Sequence, residues 1–261
     1  TGVRFSTSSN RYIDKLECFG GITHNLTRDI NNNTKKGHGS ISGKSLKSPK
    51  VLFGYFEDWR RGMEQYADAN ATIAPPRKWE KDTPFGWNSW SGMETHVNYE
   101  GVTDISDFIK NQRGPKGFDS NAVYMGLDSW WNENFTDQQL IDFVKHCKEN
   151  GQEAGIYMTP FSDWWDGDEG ANRVMEGTNG QYKYKDAYLY ADGKPIKIES
   201  KALDPTHPGT KMLMKYNIDR FKSWGFKYIK LDFINNGTLE ADSFYEDGIT
   251  TGVQAYNHGM Q

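Results

Sequence analysis

Several things are scarce in this sequence, and each scarcity excludes a class of protein. There are two cysteines, Cys18 and Cys147, far apart and in no metal or redox spacing. That excludes a disulfide framework and a cysteine-ligated zinc site, and Cys147, on the apolar side of a helical pattern, reads as a buried free thiol. The six histidines form no paired metal spacing, so no metal is expected. No apolar run is long enough to cross a bilayer. Neither sign of charge dominates: 31 basic and 35 acidic residues are interspersed and leave a net charge of −4. This argues against a nucleic-acid or membrane-surface footprint. No glycine-rich dinucleotide fingerprint follows any predicted strand. Gly39-Ser-Ile-Ser-Gly43-Lys44-Ser45 comes near a phosphate-binding loop but misses its spacing by one residue, and it reads as a solvated loop. No targeting segment is visible. The sequence starts at Thr1 and ends inside a helical pattern, so a piece of a longer chain is expected. The compartment is not assigned, although a bacterial source would favour the periplasm or secretion.

What the sequence has in quantity is aromatic side chains, 14% of residues and 9 tryptophans among them. Exposed Trp and Tyr near strand ends would suit stacking on the flat C–H faces of sugars. The chain begins with β-like alternation at Val3–Ser6, in part of Tyr12–Phe19, and at Lys50–Phe56. A polar loop rich in Asn, Gly, Ser and Lys fills 31–49. Residues 1–57 therefore read as the end of a β-sandwich. Asp58 caps a helix with Trp59, Met63, Tyr66 and Ala67 on one face. Ala74-Pro75-Pro76-Arg77 is a stiff linker, so 58–83 reads as a connecting helix and linker.

From 84 to 261 the rhythm is strand, helix, strand, helix. Strands are predicted at Pro84–Trp90, Val123–Asp128, Ala154–Met158 and Phe226–Phe233. Between them lie helical stripes: Val102, Ile105, Phe108 and Ile109; then Leu140, Ile141, Val144 and Cys147 behind a Thr136/Gln139 capping box; then Met214, Ile218 and Phe221 behind Pro208. A long insertion from Phe161 to about Ala202 includes a hairpin turning at Ala191–Lys194. Such alternation implies βαβ units and a parallel sheet, either half of a (β/α)8 barrel or a small doubly wound sheet. In a barrel the chemistry sits at the C-terminal strand ends. Each predicted end here carries functional side chains: Trp87, Asn88, Ser89 and Trp90; Asp128, Ser129, Trp130 and Trp131; Tyr157, Thr159 and Phe161; Lys230 and Asp232. Lys230 and Asp232, two residues apart, share one face of the last strand. Read alone, they are either a structural ion pair or a used one. The acidic cluster Asp163, Asp166, Asp168 and Glu169 lacks calcium-loop spacing and reads as a solvated loop, with Trp164 and Trp165 as candidate sugar platforms. Asp204-Pro-Thr-His-Pro reads as a turn and helix start.

The stretches PFGWNSW, YMGLDSWW, AGIYMTPF and KYIKLDF, in that order, resemble the clan of retaining α-galactosidases, glycoside hydrolase families 27 and 36. The run from Ala202 to Phe233 is more similar to family 36. The resemblance implies a β-sandwich domain followed by a (β/α)8 catalytic barrel, of which 84–261 would be the first four units. It implies Asp232 as the nucleophile, Asp128 and Lys230 as ligands of sugar hydroxyls, Tyr157 lining the pocket, and Trp87 and Trp130 as aromatic walls. It implies no cofactor. The partner would be an oligosaccharide or polysaccharide with a terminal α-linked galactose or related sugar.

Two departures matter. The family's paired aspartates at the second strand end are here Asp128 and Ser129, and a neutral hydroxyl holds sugar hydroxyls more weakly than a carboxylate. The residues after the nucleophile, Phe233-Ile-Asn-Asn-Gly237, also differ, leaving Asn235 or Asn236 to reach the sugar. The second carboxylate of the mechanism comes from around the sixth strand in the family, so the acid/base is expected beyond Gln261. The isolated chain is then expected to be almost inactive and, with open sheet edges, to self-associate. A non-catalytic carbohydrate-binding relative and a transglycosylase are the alternatives.

Overall fold

The structure, a computed structural model, describes residues 2–8, 12–19, 43–46, 50–80, 83–112 and 123–261. The chain forms two compact units, Thr1–Glu80 and Lys81–Gln261. In the first, β1 (Gly2–Ser6) and β2 (Lys15–Phe19) pair antiparallel, with Gly2 opposite Phe19 and Ser6 opposite Lys15. Helix α1 (Trp59–Ala71) starts at Asp58, whose side chain accepts from the Arg60 N–H. The strand expected at Lys50–Phe56 is not formed. No neighbouring strand among the described residues pairs with it, and Leu52, Phe53 and Tyr55 are exposed. An alternating pattern makes a strand only where a ladder partner exists. The stripe expected to be buried on α1 is also open: Trp59, Met63 and Tyr66 are exposed, and the buried residue is Gly62, under the Phe56 ring. The described residues of this unit thus contain one two-stranded ladder and no sandwich. The stretch Gly39–Ser45 and the 31–49 loop lie largely outside them.

The second unit runs β3 (Phe85–Asn88), α2 (Trp90–Met93), α3 (Tyr99–Asn111), β4 (Val123–Leu127), α4 (Trp131–Asn134), α5 (Asp137–Glu149) and β5 (Glu153–Met158). The insertion follows, with β6 (Ser162–Asp163), α6 (Gly167–Asn172), β7 (Tyr190–Ala191), β8 (Lys194–Pro195) and β9 (Lys201–Ala202). Then come α7 (Pro208–Trp224), β10 (Tyr228–Leu231), a 3-10 turn at Ile234–Thr238, and α8 (Gly252–Gly259). The main sheet is parallel in the order β3-β4-β5-β10. Every new strand joins the same edge. A doubly wound sheet reverses direction at a switch point. This one does not, and it fits a partial α/β barrel.

The predicted elements form for local reasons. Thr136 and Gln139 make the capping box of α5, each closing on the other's backbone. Pro208 occupies the first turn of α7, and the helix closes at Gly225. Asp192 and Gly193 both have positive φ, 53° and 71°, the turn that a two-residue hairpin between β7 and β8 needs. Gly86 is required by proximity: a Cβ there would lie 1.8 Å from the Tyr124 carbonyl oxygen.

Strand β4 is buried along its whole length, and β5 nearly so. Val123, Met125, Leu127, Ala154 and Ile156 pack with Val102 and Ile109 of α3 and Leu140, Phe143 and Cys147 of α5. Two expected core residues, Phe108 and Ile141, are exposed, and Phe143 takes the inward place on α5. On α3 a polar residue faces in: the buried Ser106 hydroxyl donates to Gln152 Oε1 at 2.6 Å and accepts from Asn150 Nδ2 at 3.0 Å. This network ties α3 to the turn before β5, and Ser106, not Phe108, lies inward with Val102 and Ile109. Among the described residues strands β3 and β10 each have one neighbour, and Phe85, Tyr228 and Leu231 are exposed.

Candidate functional site at the strand ends

Parallel pairing brings the C-terminal ends of β4, β5 and β10 together. Asp128 follows β4 directly and Asp232 follows β10. The Asp232 N–H donates to the Met158 carbonyl at 3.0 Å, extending the β5–β10 ladder one step and fixing where its side chain starts. Lys230 Nζ donates to Asp128 Oδ2 at 2.8 Å and lies 3.4 Å from Asp232 Oδ2. It also sits over the Tyr157 ring, 5.1 Å from its centre. Asp128 is buried, with 2% of its surface exposed. Its Oδ1 accepts from the Ser129 N–H at 2.8 Å, and its own N–H donates to Ser89 Oγ at 2.9 Å. Asp232 is part-exposed, and its Oδ1 accepts from the Phe233 N–H at 2.9 Å. The lysine thus bridges a buried and an open carboxylate.

The electrostatics follow from this placement. Burial works against the Lys230 ammonium, but the hydrogen bond and charge of Asp128, with the charge of Asp232, outweigh it and hold its pKa above the ordinary value. The Tyr157 phenol is pushed well above its usual range, first by burial and then by the charges of Asp232, Asp128 and Glu199, with the Ser129 side chain opposing as a hydrogen-bond donor. Tyr157 therefore keeps its proton at neutral pH and can donate it in a hydrogen bond. These contacts join Asp128, Ser129, Tyr157, Lys230 and Asp232. Trp87 is part-buried and packs on the core. Trp130 is exposed, at the same strand end as Asp128, and holds a left-handed backbone with φ 72°. That conformation costs an aromatic residue on the order of 1–2 kcal/mol and reverses the chain after Ser129. It lets Trp131 turn inward, where its indole N–H donates to the Tyr157 carbonyl at 2.8 Å.

The insertion departs from expectation in part. Asp163 is not solvated: it is buried and accepts from Tyr188 Oη at 2.5 Å, the Trp165 N–H at 3.1 Å and Arg173 Nη2 at 3.2 Å. It joins the segment after β5 to the body of the insertion. Asp166 is exposed and pairs with Lys197 at 2.6 Å. Among the described residues no cluster could hold a metal ion. The Trp164 ring stands edge-on to Phe233 at 4.9 Å, and its indole N–H donates to Thr159 Oγ1 at 3.0 Å. Trp165 stacks under Arg173. Asn236, a candidate sugar ligand, is instead buried, and its Nδ2 donates to Ser162 Oγ and Ser200 Oγ, both at 2.9 Å. Asp204 caps its own turn through Thr206, and His207 caps α7. A surface hollow of about 490 Å³ lies at Thr206, Pro208, Lys211, Tyr245, Glu246 and Asp247, and none of the strand-end residues lines it.

Sequence reasoning missed Ser89 as a support of Asp128 and Glu199 as a charge acting on the Tyr157 phenol. Ser89 sat inside a noted motif. Glu199 had no local signal, because it lies in the insertion and not at a strand end.

No family model and no curated protein matches the chain. Solved structures do. An α-galactosidase from Thermus thermophilus, in complex with p-nitrophenyl α-D-galactopyranoside, superposes with a TM-score of 0.56 at 19% identity, over 76% of this chain and 38% of that one. The same enzyme in complex with stachyose gives a TM-score of 0.56 at 19% identity, over 76% of this chain and 40% of that one. The chain spans about two-fifths of the length of these structures. At this identity the likeness establishes the fold alone, a partial α/β barrel, which is the barrel part of the expectation.

Proposed function

We propose that this chain carries the nucleophile half of a retaining α-galactosidase-type active site. Asp232 attacks the anomeric carbon of a terminal α-linked sugar, and a second carboxyl group, contributed from outside this sequence, protonates the leaving oxygen. In such a mechanism the two carboxyl groups stand about 5–5.5 Å apart and a covalent glycosyl-enzyme forms and is hydrolysed. One observation carries the reading: Lys230 Nζ lies 2.8 Å from Asp128 and 3.4 Å from Asp232 at the ends of sequentially ordered parallel strands. A nucleophile must be ionised, and an adjacent ammonium favours that form. The part-exposed Asp232 is free to attack, while Asp128, already fixed by two donors, suits the holding of hydroxyls. Tyr157 donates beside the nucleophile, Ser129 and Trp130 frame the second strand end, and Trp87 backs the first. The ligands of the similar structures, an aryl α-galactoside and stachyose, support a terminal galactose or a close relative as substrate.

The test uses the full-length enzyme. Asp232→Asn should abolish turnover of an aryl α-galactoside while binding of the sugar survives. In Asp232→Gly, added azide should restore aryl release and yield a glycosyl azide of inverted anomeric configuration. Wild-type turnover in Asp232→Asn would refute the assignment.

A further inference from the structure

The site has one carboxylate engaged by Lys230, one reserved for attack, and a neutral Ser129 where a second acceptor would be useful. We propose that Glu199, from the insertion, supplies that acceptor and sets specificity for the hydroxyls of the terminal sugar; this rests on the glycosidase reading above.

The placement is built by the fold. Ser162 of β6 pairs with Ala202 of β9, so the end of the insertion returns to the segment just after β5. An antiparallel bridge between Lys197 and Lys201 makes Ile198-Glu199-Ser200 a tight tip, closed by the Ile198 N–H donating to the Ser200 carbonyl at 3.2 Å. Ser200 is buried, and Asn236 Nδ2 donates to its Oγ and to Ser162 Oγ. Asn236 belongs to the 3-10 turn that opens two residues after Asp232. One buried amide therefore fastens the tip to the segments following both β5 and β10. Glu199 rides on that fastened tip with its side chain exposed. No salt bridge engages it among the described residues, and its charge is felt at the Tyr157 phenol beside Asp232.

An ionised carboxylate accepts hydroxyl protons and donates none, so it can hold two neighbouring sugar hydroxyls at once. A site built to bond a substrate hydroxyl discriminates strongly against the analogue lacking it. Glu199 thus deepens the substrate assignment to sugars that present a hydroxyl pair at the insertion side of the site.

The experiment compares full-length wild type, Glu199→Gln and Asp232→Asn on an aryl α-galactoside and its 4-deoxy and 6-deoxy counterparts. For Glu199→Gln, KM on the parent sugar should rise about tenfold or more, the loss of a charge-assisted hydrogen bond, with kcat within about threefold. The wild-type preference for the parent sugar over one deoxy substrate should collapse by a similar factor. Unchanged KM and unchanged preference, with Asp232→Asn inactive, would overturn the role of Glu199 alone. So would an equal fall in kcat on all three substrates, which marks a structural role. An active Asp232→Asn would remove the glycosidase reading and this inference with it.

Discussion

Replacing Lys230 by Met tests the electrostatic frame of the site most directly. The lysine has two anionic neighbours, and their burial decides which matters. Asp128 is 2.8 Å away with 4% of its side chain exposed, and Asp232 is 3.4 Å away with 42% exposed. At an effective dielectric constant near 20 the first attraction is on the order of 6 kcal/mol gross, whereas the second, closer to bulk water, is about 1 kcal/mol. Desolvation offsets most of the first. Removing one partner of a buried pair costs about 3–5 kcal/mol because the other charge is left uncompensated. Here the Lys230 side chain is 37% exposed, so water reaches the gap and screens the loss. Asp128 also keeps the Ser129 N–H. We therefore expect Lys230→Met to destabilise the second unit by about 1–3 kcal/mol. Seven of the nine tryptophans lie in that unit, so its urea transition is followed by fluorescence. The cycle Lys230→Met, Asp128→Asn and the double variant should show a coupling of about 1–2 kcal/mol. The same cycle with Asp232→Asn should show less. The pH dependence has a definite sign. The folded pKa of Lys230 is raised, so its contribution is complete below the unfolded lysine pKa of about 10.4 and is lost as pH rises through the folded value. Wild type should converge on Lys230→Met in alkali and separate from it at neutral pH. Additive single effects, or equal coupling to both aspartates, would refute this account.

Two further outcomes test the core beneath the site. The Cys147 thiol is buried and its pKa is pushed up to about 12 by that burial; native protein at pH 8 should resist iodoacetamide at this cysteine, read by mass spectrometry, and react only when unfolded. Gly86→Ala sets a methyl against the Tyr124 carbonyl and should separate β3 from β4, with a loss of more than about 3 kcal/mol or failure to accumulate as soluble protein, whereas the exposed Ile141→Ala should change stability by less than about 0.5 kcal/mol.

The parts of the fold that were legible in the sequence are those fixed by short-range physics. The Thr136/Gln139 box, Pro208 at a helix start, the Asp192-Gly193 turn and the apolar runs of β4 and β5 each state a local preference that the tertiary structure also satisfies. Elsewhere a partner outside the local window decides the structure. Lys50–Phe56 has the pattern of a strand and no ladder neighbour among the described residues. Phe108 fits the apolar stripe of α3, yet the inward place beside Val102, Ile105 and Ile109 is taken by Ser106, hydrogen-bonded to Gln152. Periodicity counts apolar residues, and a buried polar contact can occupy a place on the inward face without that signal.

The site divides along the same line. Lys230 and Asp232 lie two residues apart, so strand geometry alone puts them on one face, and Asp128 and Tyr157 were recognisable as ends of neighbouring strands. Their meeting depends on the sheet order β3-β4-β5-β10, which makes consecutive strand ends adjacent in space. The insertion has no such rule. Asp163 and Asp166 belong to one acidic cluster in sequence, yet the first is buried under Tyr188 and Arg173 and the second is exposed beside Lys197. Asn236, expected to reach a ligand, spends its amide on two serines that hold the insertion in place. Buried polar groups must find partners. In this unit the partners found by Asp163 and Asn236 hold the insertion to the segments after β5 and β10. Asp163, read from sequence as solvated, and Asn236, read as a sugar ligand, are therefore fastenings of the insertion, and the role proposed for Glu199 depends on where they hold its tip.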